Sequence, residues 1–252
     1  MAIEPSYGTF GNLAAHYQKA RQGFPSHVFD LLDAQFDVPV PPIKILDVGC
    51  GTGIATRQLC ARGYDIVGAD IDTEMITIAQ RENDRIPYYV APTSALPFPD
   101  ALFAGVTAFS SLHWFADTAS LREISRVLKP HGTFITVNKN DVAGFKAAYR
   151  SVLAQFIDAP LPNAKAHYDP AALLGMNGFS DVERHVFPVE ERYAVDEALA
   201  YLYSVSLWNL VPQERKADAE CALRELCEKE KKDDFLTRTL EVVAVIGVKK
   251  QT

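Results

Sequence analysis

The sequence predicts an α/β protein with a doubly wound, seven-stranded and mostly parallel sheet. Short apolar runs alternate with helical patterns along the 252 residues, which is typical of right-handed βαβ crossovers. The first five runs are nearly continuously apolar, as in strands that helices cover on both faces. The first run leads into a glycine-rich turn, "VGCGTG". The predicted strands are Ile43–Gly49, Asp65–Asp70, Ile86–Ala91, Ala104–Phe109, Thr133–Asn138, Val182–Val189 and Glu241–Val248.

Helix signals fill the segments between these strands. Asp72 or Thr73 can cap a helix after the second strand, and Asp117 or Thr118 can cap one after the fourth, because short polar side chains accept the first free N–H groups of a helix. We expect the turn at Pro130–Gly132 to end the second of these helices.

Three helical segments do not fit the sheet pattern, and we expect them to form a cap within a single domain of residues 1–252. The last contains two predicted helices, the second with the charge run "EKEKKDD", interpreted as a solvated helix face. Pro188 predicts that its strand lies at the sheet edge, where a missing N–H costs little. The predicted core is 39–139, 179–194 and 235–252, and the predicted cap is 1–38, 140–178 and 195–234.

The composition disfavours some classes of function. The chain is 48% hydrophobic and 23% charged, with a net charge of −7, so it lacks the overall basic character of many nucleic-acid-binding proteins. The four cysteines form neither CxxC nor zinc spacing, so no metal site is predicted. Neither a signal peptide nor an apolar run of membrane-spanning length is evident. We expect a cytoplasmic protein without nucleic-acid or membrane partners.

The glycine turn predicts a ligand at the end of the first strand. Gly49, Gly51 and Gly53 can adopt positive φ and let a ligand approach the backbone, while the following helix offers free N–H groups. The alternative is a tight turn without a ligand. Asp70, nineteen residues after Gly51, favours the ligand, because a carboxylate there can accept both hydroxyls of a ribose. Ile54 stands where a dinucleotide fingerprint needs a small residue.

These motifs resemble a known family. "ILDVGCGTG" followed by "VGADID" resembles the first two motifs of class I S-adenosylmethionine-dependent methyltransferases. "APTSALPFPD", "SLHWFAD" and "LREISRVLKPHGTF" resemble its small-molecule (type 11) branch, which includes trans-aconitate methyltransferase-like and ubiquinone/menaquinone-type enzymes. "FGNLAAHYQKARQGFP" is similar to that branch's leading helices. The strong likeness covers residues 43–138. It implies a Rossmann-like fold, S-adenosyl-L-methionine as cofactor and S-adenosyl-L-homocysteine as product.

The resemblance implies a cofactor site. The glycines would receive the methionine half, and Asp47 would orient the turn and the cofactor's ammonium, or alternatively only hold turn amides. Asp70 would bind the ribose, its alternative being a helix cap, while Ile71 and Met75 would pack on the adenine, unless Met75 is core. The full predicted set is Tyr17, Arg21, Asp47, Gly49, Cys50, Gly51, Gly53, Asp70, Ile71, Met75, Thr93, Ser94, Ala95 and Ser110.

Two positions of this set carry their own alternatives. The family often has an Asp where Pro92 stands, so adenine contacts would fall to Thr93, Ser94 and the Ala95 backbone. Arg21 lies one helical turn after Tyr17 and could pair with a carboxylate of cofactor or substrate, or lie on the surface.

On the acceptor side, His113 could act as a base or bind a carboxylate, or serve only in packing. Trp114 and Trp208 are the other candidate substrate-pocket residues, and core packing is the alternative for Trp208.

The expected activity is transfer of a methyl group to a small-molecule acceptor, a carboxylate or a phenol- or quinone-like ring, by in-line displacement. Three alternatives remain: a methyltransferase acting on RNA or protein, a protein that binds the cofactor without transferring its methyl, and a nicotinamide-dependent dehydrogenase. The sequence does not identify the acceptor or the methylated atom, and it is compatible with a monomer or a homodimer.

Overall fold

A computed structural model describes residues 18, 20–36, 43–163, 165 and 168–251. The predicted cofactor residue Tyr17 lies outside this range. Among the described residues, no helix is both long enough and apolar enough to span a bilayer.

The strands form one seven-stranded sheet in the order β3-β2-β1-β4-β5-β7-β6. The first five strands pair in parallel: β1 with β2 and β4, β2 with β3, and β4 with β5. The chain therefore builds outward from β1 to one side and then from β4 to the other, and open α/β sheets bind ligands at such a switch point. The strands are β1 (Lys44–Val48), β2 (Asp65–Asp70), β3 (Tyr88–Val90), β4 (Phe103–Phe109), β5 (Leu128–Asp141), β6 (Phe179–Tyr193) and β7 (Leu236–Lys249).

Helices connect the strands, as the alternating pattern predicts. Three short 3-10 segments also occur, at Leu112–Trp114, Ser206–Leu210 and Gln213–Arg215. The helices are α1 (Ser26–Gln35), α2 (Ile54–Ala61), α3 (Thr73–Glu82), α4 (Thr118–Val127), α5 (Phe145–Leu153), α6 (Pro170–Met176), α7 (Val195–Tyr203) and α8 (Lys216–Glu230).

The predicted caps and the predicted edge strand are confirmed. Asp117 accepts a hydrogen bond from the backbone N–H of Ser120 at 2.8 Å and so begins α4. β6, which contains Pro188, is the last strand of the sheet order.

Several predicted element ends differ from the structure. β6 and β7 are longer than the predicted Val182–Val189 and Glu241–Val248. Helix α4 ends at Val127, and Leu128 is already extended with ψ of 137°, so Pro130–Gly132 lies inside β5 rather than ending the helix. The residue before a proline is itself biased toward extended backbone, which moves the boundary upstream. The charge run is also only half helical, because α8 ends at Glu230 and Asp233 and Asp234 have positive φ.

Chain contacts divide the molecule into two compact units. The sheet unit comprises residues 23–139, 164–187 and 242–252, and the second unit comprises 140–163, 188–241 and the described part of 1–22. These boundaries differ from the predicted cap, since 23–36 and 168–178 group with the sheet unit. The single capped domain therefore stays a prediction.

Each unit has its own apolar core. In the sheet unit, side chains of β1, β4 and β5 such as Leu46, Val106 and Phe134 pack with α4 residues Leu121 and Ile124, all fully buried. In the second unit, α5, α7 and α8 supply the core. Large apolar burial of this kind dominates folding stability, and it fixes the carboxyl ends of the parallel strands.

Candidate active site

The three glycines after β1 all have positive φ, 62°, 55° and 77°, but they differ in the atoms that surround them. A Cβ on Gly49 would lie 2.6 Å from the Cβ of Ser111, and a Cβ on Gly53 would collide with the Tyr88 hydroxyl. A Cβ on Gly51 would meet nothing within 4 Å. Protein packing therefore explains two of the glycines, and Gly51 is the one that faces open space.

Asp70 ties the open glycine to the end of β2. Its Oδ2 accepts the Gly51 N–H at 2.8 Å and its Oδ1 accepts the Asp72 N–H at 2.9 Å. Burial raises the pKa of the Asp70 carboxyl above its usual value, and these backbone N–H groups oppose the shift. The Ile71 N–H is a third backbone partner. Since a carboxylate offers about four lone-pair sites, capacity remains for a ligand hydroxyl.

The next carboxylate has a different role. Asp72 accepts the N–H groups of Glu74 at 3.0 Å and Met75 at 3.2 Å, so it caps α3 as predicted. Asp70 lies three residues before Thr73, the first residue of that helix, and its hydrogen bonds go to Gly51 and Asp72 rather than to the first turn of α3. Asp72 therefore caps the helix, and Asp70 remains at the strand end where a ligand is predicted.

Asp47 is fully buried beneath the turn. Its two oxygens accept the hydroxyls of Thr56 at 2.7 Å and Thr107 at 2.9 Å, so it joins α2 to β4 through side chains rather than through turn amides. Burial raises its pKa from 3.8 to about 7, although both threonine hydrogen bonds act in the opposite direction. Its predicted action on a cofactor ammonium stays a prediction.

Cys50 lies within the turn with no sign of an activated thiol. Its backbone N–H donates to the Ala69 carbonyl at 3.1 Å. Burial raises the pKa of the thiol well above its usual value, and the nearby Asp70 and Asp47 add to the shift. The thiolate is the nucleophilic form, so this side chain fills space.

The two residues predicted to contact adenine differ sharply in exposure. Ile71, directly after β2, is 71% exposed, whereas Met75 is 3% exposed. A large exposed apolar side chain at a predicted ligand edge gains from being covered, while Met75 packs into the interior from α3.

The loop after β3 is held by charged residues that sequence reasoning missed. Thr93 is buried, Ser94 and Ala95 are exposed, and the Ala95 N–H donates to the Pro92 carbonyl at 3.0 Å. From α4, Arg126 donates to the carbonyls of Phe98 at 2.7 Å and Leu96 at 3.1 Å, and Glu123 accepts the Leu96 N–H at 3.0 Å. The sequence signal was an i,i+3 charge pair on α4, which also forms an ion pair at 2.7 Å.

After β4 the chain turns sharply at Ser110. Its φ is 53°, and its N–H donates to the Val137 carbonyl on β5 at 2.6 Å. The following single-turn helix presents His113, whose ring centroid lies 4.9 Å from that of Trp114 and 5.9 Å from that of Tyr168. The structure thus brings predicted residues Ser110, His113 and Trp114 to one edge, with Tyr168 as an unpredicted neighbour.

Asn138 is a second unpredicted polar residue at this edge. It follows Val137 on β5 and is 3% exposed. Its Nδ2 contacts the Tyr168 hydroxyl at 3.4 Å and the Thr136 hydroxyl at 3.5 Å. The signal in the sequence was an amide side chain at the last position of the predicted strand Thr133–Asn138.

Arg21 and Trp208 belong to the second unit. Arg21 donates to the Ser204 hydroxyl at 3.0 Å, and its guanidinium lies 4.5 Å from the Tyr201 ring centroid. Trp208 is 5% exposed and its ring lies 4.7 Å from that of Tyr203. Packing within their own unit accounts for both contacts, and their ligand roles stay predictions.

Comparison with known sequences gives the family. Residues 46–136 match the family described as a methyltransferase domain. An uncharacterized methyltransferase-like protein of Schizosaccharomyces pombe is 26% identical over 232 residues, which cover 90% of this chain and 89% of that protein. A demethylmenaquinone methyltransferase of Corynebacterium kroppenstedtii is 38% identical over 95 residues, which cover 37% of this chain and 41% of that protein.

Solved structures agree on the fold. A putative type II methyltransferase from Anaeromyxobacter dehalogenans aligns with a TM-score of 0.66 and 22% identity, covering 91% of this chain and 97% of that one. In the part of the chain described here, no group of three His, Cys, Asp or Glu side chains could hold a metal ion. With the matched domain, the methyltransferase relatives and the fold in agreement, the chain is a class I S-adenosylmethionine-dependent methyltransferase.

Proposed function

We propose that the protein methylates a small-molecule acceptor that carries a carboxylate or a phenol- or quinone-like ring. The observation that carries the cofactor part of the proposal is the Gly51–Asp70 pair, in which an open positive-φ glycine donates its N–H to a carboxylate at a strand end. That carboxylate retains acceptor capacity for a ribose hydroxyl. The acceptor class is supported by the relatives and by His113.

The residues of the sheet unit fit the cofactor. Asp70 would accept a ribose hydroxyl, the exposed Ile71 would cover the adenine, and the open face of Gly51 would receive the methionine part. When bound, S-adenosylmethionine supplies a sulfonium methyl group that is already activated for displacement. The protein's own contribution is then to align the acceptor roughly 3 Å from that methyl group and to exclude water.

The need for a base depends on the acceptor. A carboxylate is already ionised at neutral pH, so alignment suffices. A phenol must lose its proton, and His113 at the end of β4 is the side chain suited to accept it. The relatives include demethylmenaquinone methyltransferases, which supports a ring acceptor, and the net charge of −7 disfavours RNA as the substrate.

Two measurements test the proposal. Calorimetry should detect binding of S-adenosylhomocysteine, and a radiolabelled methyl-transfer screen should find acceptors among small acids and phenols but not among RNA or proteins. Methylation of a polynucleotide or polypeptide alone would contradict the proposed acceptor class. Cofactor binding without transfer to any class of acceptor would instead favour a protein that only binds the cofactor.

A further inference from the structure

Asn138 is a buried amide with one end left without a partner. The residue is 3% exposed, and its Oδ1 has no hydrogen-bond partner, while Nδ2 makes the two long contacts with Tyr168 and Thr136. Buried polar atoms are nearly always paired, so an unpaired one calls for a physical explanation. An apolar residue of similar size, such as leucine, would avoid the cost of burying the amide.

Turning the amide around does not remove the problem. The Tyr168 and Thr136 hydroxyls could then donate to Oδ1, but Nδ2 would be left unpaired instead. In the arrangement observed, the unpaired atom is an acceptor, so the group that completes the site must bring a hydrogen to donate.

The position of Asn138 points toward the acceptor side of the site. Asn138 directly follows Val137, which pairs with Phe109 in the β4–β5 register, and the Val137 carbonyl binds the Ser110 N–H. It therefore lies one residue past the point where β4 ends beside β5, on the side of the sheet where α/β proteins bind ligands. Its partner Tyr168 packs edge-on against His113, so the amide belongs to the same group of side chains.

The side chains around the amide are aromatic. The Tyr168 and His113 ring centroids are 5.9 Å apart, and the Trp114 ring is next to His113. Burial raises the pKa of the Tyr168 phenol above its usual value, with hydrogen bonds to Asn138 and Thr136 opposing the shift. Aromatic side chains favour a flat ring, and a neutral phenol brings no charge to pair with a carboxylate.

We propose that Asn138 Oδ1 accepts a hydrogen bond from a hydroxyl group of the methyl acceptor. The acceptor is then a phenol-like ring that carries an O–H, because a simple carboxylate has no hydrogen to donate at neutral pH. This inference rests on the proposed function, of whose two acceptor classes it selects the ring. Since Oδ1 is shielded from solvent, the hydroxyl reaches it when Tyr168, held to the amide by one contact of 3.4 Å, turns aside.

The test compares ligands that differ in the donor hydrogen, bound to the protein loaded with S-adenosylhomocysteine. Dissociation constants of catechol, its dimethyl ether and benzoate are measured by NMR titration. We expect the wild type to bind catechol at least fivefold tighter than the other two, and Asn138→Leu to reduce that ratio below twofold. An unchanged affinity for S-adenosylhomocysteine in the variant shows that the fold and the cofactor site are intact.

Two further variants control for indirect effects. Asn138→Asp keeps the shape and an acceptor oxygen, so it should retain the preference for catechol. Thr133→Val alters a buried threonine earlier on the same strand and should also leave the ratio unchanged. Three results would overturn the inference. The wild type could bind the three ligands equally or not at all. The preference for catechol could survive in Asn138→Leu, or it could be lost in both control variants.

The ligand preference requires no turnover. Failure of methyl transfer to every small molecule would therefore count against the proposed function, while the loss or survival of the catechol preference decides the role of Asn138 by itself.

Discussion

Two neighbouring regions of the sheet differ in how they are built. The turn after β1, here called the backbone edge or cofactor edge, is formed mainly by backbone groups. The region where β4 ends beside β5, called the acceptor edge, is formed by side chains. In the turn, the notable features are the positive φ of Gly51 and the hydrogen bond from its N–H to Asp70. At the other edge, they are the contacts of Tyr168 with His113 and Asn138. A site formed by backbone groups with positive φ tolerates few residue types at its positions. A site formed by side chains can change its ligand specificity through single substitutions. We infer that the first edge serves the shared cofactor and the second the particular acceptor.

The largest expected effect concerns the buried carboxylate beneath the backbone edge. Folding raises the pKa of Asp47 from 3.8 to about 7. The folded protein therefore binds a proton at Asp47 more tightly than the unfolded chain does. The contribution of Asp47 to the free energy of unfolding should therefore fall as pH rises from about 4 to about 7, by a total of about 4 kcal/mol. Asp47→Asn should lack this decline.

Urea unfolding of both proteins between pH 5 and pH 8 measures this difference, since other titrating groups are common to both. The wild type should lose stability relative to Asp47→Asn as pH rises, and parallel curves would refute the shifted pKa. If a cofactor ammonium also lies near Asp47, affinity for S-adenosylhomocysteine should rise through pH 7 in the wild type only, because the ionised carboxylate attracts the cation.

Substitutions of the glycines in the turn after β1 distinguish a role in packing from a role in ligand binding. Gly53→Ala combines strained backbone with the collision against Tyr88, so we expect a loss of about 2–4 kcal/mol of stability. Gly51→Ala meets open space and should lose only about 1–2 kcal/mol, but it should weaken S-adenosylhomocysteine binding.

A third glycine supplies the matched control. Gly63 also has positive φ and open space around a Cβ, but it lies in the turn before β2, so Gly63→Ala should cost as much stability as Gly51→Ala without changing cofactor affinity. Equal affinities in all three variants would mean that the open face of Gly51 is not a ligand surface. Chemical unfolding and calorimetry on the same samples give both quantities.

The contrast between the edges also explains what the sequence could predict. Glycines at alternate positions and Asp70 at a strand end are local signals, because the backbone conformation that they serve is local. The fold brings Tyr168, 55 residues further along the chain, against His113. Asn138, 25 residues after His113, joins them through Tyr168. The end of α4 was misjudged because Pro130 is visible in the sequence, whereas the extended conformation already adopted at Leu128 is not.

The ribose assignment of Asp70 predicts a loss of cofactor affinity. Asp70→Ala should weaken S-adenosylhomocysteine binding at least tenfold, because a charge-assisted hydrogen bond of roughly 1.5–3 kcal/mol would be lost. Asp72→Ala is the control: it removes the α3 cap and about 1 kcal/mol of stability, but it should leave the affinity unchanged. A similar loss of affinity in both variants would point to general loosening of the segment instead.

The smallest expected effect separates the two apolar residues assigned to adenine. Ile71 is 71% exposed, so Ile71→Ala should leave the unfolding free energy nearly unchanged while reducing S-adenosylhomocysteine affinity about fivefold, equivalent to about 1 kcal/mol of lost apolar contact. Met75 is 3% exposed, so Met75→Ala should lower stability, since it leaves a cavity, and should alter affinity less than Ile71→Ala does. The reverse ranking of affinities would move the adenine contact from the exposed side chain to the base of α3. That result would make the cofactor edge, like the acceptor edge, dependent on buried side chains.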